Sequence, residues 1–484
     1  MTVYEPLAII MTICNDFKKE SAESVTSQFY SGDLKIYFLD DSTKDDVKQE
    51  IDQFCLEHPQ VILIRRVVKK DFKAGNLNNA LFNHIKEPYF IQVDADQMVP
   101  PGFAAGLYEK LASLPSDVWF VQCAHYQNPQ TGFAYDIGPS LSYMWKIFLR
   151  LKNVLGFVPN FGHGVIFRRE VFESIGGYLP LVAEDLTISA IARMHGYRGY
   201  YETGIASGED FPESYEAYHK QQFKYVTGAV EFFHKIFWSF IKSSNVSLLE
   251  KIDVAVSYSY NLLPALVLLY IFFSTIILPA VSAELVMLTI APGITLPFLV
   301  PDAANRLLCT AFYLITLIML VAPMLPAALD IFKKHGLITF RMLILCTPIY
   351  ISRMVPCLMS ILKYILFKDA EFITTGDTSK LDDSSFKTGE TGRSWGKHIS
   401  DTLHKMLDIR GENVYRIKLV TGLLLAFFSI RTLNFIIMSY AMSLIISYLI
   451  HHFGWENKII RVLCYFPFFI LIFSLVIWGV LEFI

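Results

Sequence analysis

The chain is short of charge, of paired cysteines and of any excess of one sign. Its 484 residues carry 42 basic and 45 acidic side chains, a net charge of −3. That balance offers no basic face to nucleic acid, so no nucleic-acid partner is expected. The seven cysteines, Cys14, Cys55, Cys123, Cys309, Cys346, Cys357 and Cys464, are scattered and form no C-x-x-C pair. Such spacing argues against a zinc site and a disulfide framework, and predicts reduced thiols in the cytosol or membrane. No repeat of solenoid period is visible. The opening stretch MTVYEPLAIIMTICNDF has no basic segment ahead of an apolar core. It is therefore expected to open a buried strand, not a signal peptide. What the chain has in plenty is apolar side chains: 53% of residues are hydrophobic and 39 are Phe, more than a water-soluble globule usually carries.

These apolar residues are unevenly spread. Over residues 1–235, short runs rich in β-branched and aromatic residues alternate with polar helical stretches: LAIIMTI, LKIYFLD, VILIRRVV, YFIQVD, VWFVQCAHY and GVIFRR. The alternation predicts an α/β domain with a mixed, mainly parallel sheet covered by helices. Ligands of such sheets gather at the carboxyl ends of strands. Residues 236–253 are expected to form an amphipathic interface helix. Beyond them, 254–280, 307–329, 433–450 and 459–484 are apolar runs of roughly the 20 residues that a bilayer span takes. The stretch 419–430 reads as too short for a clear fifth and as the start of the third. Spans one and two fall within 254–330, interfacial helices and a polar loop within 331–415, and spans three and four within 416–484. The run 335–367, interrupted by Pro348 and Pro356, is expected to lie along the interface with its basic residues facing headgroups. Lys333, Lys334, Arg341, Lys363 and Lys368, set against the sparse charges of 281–306, predict a multi-pass cell-membrane protein with its N-terminal domain in the cytosol.

Four short stretches carry the chemistry. In FIQVDADQMV, Asp94 and Asp96 end a strand and point the same way. Two such carboxylates can hold Mg²⁺ or Mn²⁺ through oxygen ligands, in a site shared with substrate phosphates. The plain alternative is a solvated turn. In FKAGNLNNAL, Lys73 precedes Gly75 at a helix opening, which suits either phosphate binding or an ordinary capped start. Glu184 and Asp185 open the helix of VAEDLTISAIARM; alone, acids there complement the helix dipole. Gln221, Lys224 and Tyr225, at i, i+3 and i+4, share one helical surface.

Their order is more telling than any one of them. D-x-D is followed by E-D about 90 residues later, by Q-x-x-[basic]-[aromatic] about 36 further on, and then by apolar spans. This resembles the family 2 processive glycosyltransferases: the cellulose, mixed-linkage β-glucan, chitin and hyaluronan synthases. TICND (12–16), FLDDST (38–43), KAGNLN (73–78), NFGHGVIFRREVFESIGGY (160–178) and FITTGD (372–377) resemble further motifs of that family. The resemblance implies a GT-A fold in which Thr12, Asp16, Asp40, Asp41, Lys73, Asp94, Asp96, Gln221 and Lys224 bind a nucleotide sugar. Asp94 and Asp96 would hold the metal, Asp96 the more directly. Asp185 would be the general base, a carboxylate of ordinary pKa already ionised at neutral pH. His163, Glu184 and Tyr225 would meet the acceptor, and Phe372 and Thr375 would belong to a gating loop over the nucleotide.

The sequence departs from the family at several positions. Lys224–Tyr225 stands for Arg–Trp and so loses the bidentate fork. Ala183 replaces a Thr, His163 a small hydroxyl residue and Asp377 a Lys. The expected activity is inverting polymerisation of a β-linked polysaccharide from UDP-glucose or UDP-N-acetylglucosamine, with passage of the chain through its own spans. Tyr258, Tyr260, Asn261, Tyr350 and Tyr440 are aromatic and polar candidates for that path. The alternatives are transfer of one sugar to a lipid acceptor, and a degenerate member that only binds.

Overall fold

The computed structural model describes residues 3–139, 149–277, 283–291, 294–301, 336–367, 406–407, 411–432 and 434–482. Strand β1 is Leu7–Ile13, followed by α1 (Lys19–Thr26), β2 (Leu34–Asp40), α2 (Asp45–Glu57), β3 (Val61–Ile64), α3 (Phe72–Asn83), β4 (Tyr89–Asp94), α4 (Phe103–Ser113) and β5 (Val118–Gln127). Then come α5 (Gly132–Ile137), β6 (Val165–Arg168), α6 (Arg169–Ser174), α7 (Glu184–Met194), β7 (Arg198–Glu209) and α8 (Tyr215–Lys235).

Seven strands make one sheet in the order β3-β2-β1-β4-β6-β5-β7. β1 runs parallel to β2 and β4, and β2 to β3. β6 is antiparallel to both its neighbours, while β5 and β7 are parallel. The inner strands are apolar without alternation because helices cover both faces, giving one cluster around Ile9, Phe38 and Val93 and another around Ile10, Leu39 and Phe90. The six strands expected from the sequence are all present. β7 is the addition: Gly199, Gly204 and Gly208 interrupt its pattern, and its pairing with β5 slips between Cys123 and Ala124.

The remainder is mostly helical: α9 (Phe237–Lys242), α10 (Leu248–Ser259), α11 (Leu263–Phe272), α12 (Gly336–Ile351), α13 (Met354–Phe367), α14 (Asn413–Arg431), α15 (Phe435–Phe453), α16 (Lys458–Leu463) and α17 (Tyr465–Glu482). Between α11 and α12 lies an antiparallel hairpin, β8 (Ala283–Ala291) with β9 (Ile294–Pro301). The single interface helix expected over 236–253 is two pieces, because Ser247 forms a capping box with Glu250 and starts α10 afresh. Residues 340–367 and helices α14 and α15 are long and apolar enough to cross a membrane, as is the bent pair 248–277 if counted as one. Two expectations are thereby corrected. The 419–430 stretch belongs to a 19-residue helix of its own. The run 335–367 does not turn all its basic residues outward: Arg353 and Lys363 are buried, while the exposed Arg341 pairs with Asp136 at 3.0 Å. The expected span 307–329 lies outside the described residues.

The sheet domain is bolted to these helices by polar contacts within an apolar cluster. Asp136 of α5 accepts the Trp455 indole N–H at 3.0 Å as well as the Arg341 bond. Lys418 of α14 is fully buried and reaches Tyr215 Oη and Ser447 Oγ, both at 2.9 Å, and His219 Nε2 at 2.5 Å. Phe133, Phe211, Tyr218 and Phe223 pack into the same cluster as residues of α11, α12, α14 and α15. The carboxyl ends of the strands are held in place next to α8, which is anchored on α13 and α15.

Candidate functional site

Register builds the centre of the site. β1 and β4 pair so that Thr12 lies opposite Asp94, and the Thr12 hydroxyl donates to Asp94 Oδ1 at 2.9 Å. Lys73, in the first turn of α3, ion-pairs with the same oxygen at 2.5 Å. Its ammonium also donates to the Gly162 carbonyl at 3.1 Å. Gly75 is required behind it, because a Cβ there would sit 2.1 Å from the Lys70 carbonyl oxygen. Burial works against the Asp94 carboxylate, but Lys73, His163 and the Thr12 bond overcome that and hold its carboxyl at about 2.

Asp185 faces this pair across a glycine. Gly162 has φ +77°, and a Cβ placed on it would be 3.4 Å from Asp185 Oδ2 and 3.6 Å from Lys73 Nζ. Any side chain would fill the gap between base and cation. Asn160 fixes the turn, accepting from Gly162 N and donating to the Asp185 carbonyl, both at 2.8 Å. Asp185 is not an ordinary carboxylate. Burial raises the Asp185 pKa, against the pull of the Leu186 N–H and of Lys224 and Lys73. Burial and then the charge of Asp185 push neighbouring Glu184 up to about 7. Lys224, on α8, is close enough to oppose both shifts. Tyr225 beside it is 44% exposed, free to offer a face to a ligand, while Gln221 buries its amide oxygen without a partner.

Asp96 differs from Asp94 in having no lysine bonded to it. Burial, with the charges of Asp94, Asp210 and Asp16, raises its carboxyl to about 7. Asp16 is raised as well, by burial first, although it accepts from Cys14 N at 2.6 Å. Lys18 is engaged by Asp210. The donor set is therefore all oxygen and more negative than its cations offset, and it fits a hard divalent ion such as Mg²⁺ or Mn²⁺.

The two acids expected at uridine already have partners. Asp40 is buried, bonded to Arg65 Nε at 2.5 Å and to Ser42 N at 2.7 Å. Asp41 pairs with Arg66 at 2.7 Å. His163 lies among residues the sequence reading passed over: Gln97, Gln122, His125, Glu209 and Asp210. His125, His163 and Glu209 have the composition of a metal site, and the two imidazoles also face glutamine amides. Gln97 accepts from Asp94 N through its oxygen, at 3.4 Å, so its amide nitrogen faces His163 Nδ1 at 3.3 Å. Gln122 accepts from Phe161 N at 2.9 Å, and its nitrogen faces His125 Nε2 at 3.0 Å. The Glu209 carboxylate is 3.5 Å from His163 Nε2 and 3.9 Å from His125 Nδ1, which also meets Ser207 Oγ at 3.4 Å. Burial lowers the pKa of both, His163 to about 4, which keeps them neutral. Burial with Asp96, Asp94 and Asp210 raises Glu209 to about 8. Acids ending an extended run, the sign that singled out Asp94, would also have found Glu209 and Asp210 had β7 been recognised. Phe372 and Thr375 lie outside the described residues.

Residues 8–176 match the family described as Glycosyl transferase family 2. That segment is a family 2 glycosyltransferase domain. A curated relative, "Probable glucomannan 4-beta-mannosyltransferase 7" of Oryza sativa subsp. japonica, is 25% identical over 241 residues, 46% of this chain. The alignment covers 40% of that relative's length, less than half of it. Among solved structures, the mannosyltransferase PcManGT from Pyrobaculum calidifontis, in complex with GDP-Man and Mn²⁺, is 20% identical with a TM-score of 0.42, over 53% of this chain and 70% of that one. S. aureus TarS 1-349 in complex with UDP-GlcNAc is 13% identical with a TM-score of 0.36, over 53% and 72%.

Proposed function

We propose that this protein is a membrane-embedded, metal-dependent inverting glycosyltransferase that moves a hexose from a nucleoside-diphosphate sugar to a hydroxyl acceptor and repeats the transfer to build a β-linked polysaccharide. The observation that carries this reading is the placement of the Asp185 carboxylate opposite the Lys73–Asp94 pair across Gly162. Asp185 takes the acceptor's proton as that oxygen bonds to the anomeric carbon. The bond from that carbon to the diphosphate breaks on the opposite face, which inverts the centre. Asp94 and Asp96 hold Mg²⁺ or Mn²⁺, which when bound offsets charge on the leaving diphosphate. Lys73 holds Asp94 in place and adds positive charge, while Tyr225 presents its ring to the acceptor. Asp40 and Asp41, braced by Arg65 and Arg66, shape the base-binding end.

For the sugar, the name of the rice relative favours mannose over the UDP-glucose or UDP-N-acetylglucosamine expected from the sequence. The apolar helices of the second half support a multi-pass protein, with the sheet domain on the cytosolic side. A second reading, one sugar added to a lipid acceptor, is favoured by the buried cation described below. Membranes carrying the protein, given labelled GDP-mannose, UDP-glucose or UDP-N-acetylglucosamine with Mn²⁺, decide the matter. A polymer ladder from one donor supports synthesis, a single organic-soluble product supports the second reading, and no transfer from any donor sinks both.

A further inference from the structure

Arg353 is a buried guanidinium with no acid paired to it among the described residues. It stands at the break between α12 and α13 and is 5% exposed. Its Nε is sealed from solvent and has no hydrogen-bond partner among the described residues. Its carbon centre lies 5.8 Å from the Tyr350 ring centroid; Tyr218, Tyr260, His219 and Cys357, whose thiol it hydrogen-bonds, also lie around it, and none of these is a carboxylate. On the facing helix α8, the Tyr218 hydroxyl is likewise buried with no partner. Burying a lone cation carries a large desolvation cost, which an anion of good geometry removes. A guanidinium suits a phosphate, presenting several N–H groups to its oxygens. The amino end of the 14-residue helix α13, where Arg353 sits, adds positive field.

The position matters as much as the charge. Tyr225 is within electrostatic reach of Arg353 and also of Asp185 and Asp94. Whatever binds Arg353 is therefore a neighbour of the acceptor side of the cleft, in the layer where α8 meets the apolar helices α12 and α13. A ligand there carries a phosphate at one end and has apolar surroundings for the rest.

We propose that Arg353 and Tyr218 bind the phosphate of a lipid. Two sources share that chemistry, the phosphate of a lipid-linked acceptor and the headgroup of a bilayer phospholipid. The first rests on the transferase reading above; the site itself does not.

The test uses the full chain in nanodiscs of neutral phosphatidylcholine, with farnesyl phosphate, phosphatidylglycerol and uncharged farnesol as probes, read by thermal shift and native mass spectrometry. Farnesyl phosphate or phosphatidylglycerol is expected to raise the unfolding temperature, and farnesol to leave it unchanged. Tighter binding of farnesyl phosphate assigns the acceptor source, and equal or tighter binding of phosphatidylglycerol the headgroup source. Arg353→Met should weaken binding at least tenfold while its ligand-free unfolding temperature stays equal or rises, because the unpaired charge is gone. A purely structural arginine would give the opposite, a loss of stability. Arg353→Lys should retain part of the binding, and Tyr218→Phe should weaken it less than Arg353→Met. Asp185→Asn should bind as the wild type does, so the site and the transfer reaction are judged separately. The proposal is overturned if neither phosphate lipid binds, if farnesol binds equally, or if Arg353→Met binds unchanged.

Discussion

Glu184→Gln removes one charge from a buried acid pair and should leave the base beside it working. Glu184 is 5% exposed and next to Asp185, which is why its carboxyl stands at about 7 instead of 4.5. A difference of that size is a preference of roughly 3 kcal/mol for the protonated form in the folded protein. The sign follows from proton counting. Between pH 4.5 and about 7 the folded chain keeps a proton that the unfolded chain has lost, so stability falls as pH rises through this window and levels off above it. Glutamine mimics the protonated acid at every pH. The variant should match the wild type in unfolding temperature near pH 5, and should exceed it progressively up to about pH 7.5. Transfer should survive near pH 6, since Asp185 retains the role of base, and the acid limb of the rate profile should move to lower pH. The assay is a thermal unfolding series from pH 5 to 8 beside initial rates with the working donor. Parallel stability curves for variant and wild type would refute the claim that Glu184 is buried at a cost in its charged form.

Asp185→Asn should abolish transfer, with nucleotide binding in the presence of Mn²⁺ changed less than about threefold by calorimetry; residual transfer above a few per cent would move the base elsewhere. Asp96→Ala should lose the metal-dependent part of nucleotide binding, and a binding curve still dependent on Mn²⁺ would dismiss Asp96 as a ligand. Tyr225→Ala should raise the acceptor KM roughly tenfold with little change in donor KM if its half-open ring takes the acceptor as proposed; equal effects on both would argue for a packing role.

The fold was legible where the chain obeys simple patterning. LAIIMTI, LKIYFLD and YFIQVD are strands because runs of six or seven residues dominated by aliphatic and aromatic side chains and bounded by turns bury both faces inside a covered sheet. β7 was missed because three glycines break its pattern, and its end carries Glu209 and Asp210. The membrane half was read less well for a different reason. Hydropathy separates water from an apolar surrounding, but does not separate lipid from protein interior. Residues 340–367 meet the length and composition of a span while Arg353 and Lys363 are buried in the protein. Nothing local to that stretch reveals who those neighbours are.

The same limit applies inside the site, where residue types were easier to name than their roles. From the sequence, Asp94 and Asp96 are equivalent acids two positions apart. Folding makes them unlike by bringing Lys73 from α3 and Thr12 from β1 onto one of them only. Asp94 becomes a settled carboxylate that positions the lysine. Asp96, crowded by Asp16 and Asp210, stays costly to ionise until a cation arrives. Long-range pairing decides this division, through the register that sets Thr12 against Asp94. If Lys73 lay on Asp96 instead, the ion would have to be held from the β1 side of the turn, and Asp185 would face an acid with no cation across Gly162. The division between the two acids, and not their presence, is what the proposed reading needs, with a metal on one side of the cleft and a proton acceptor on the other.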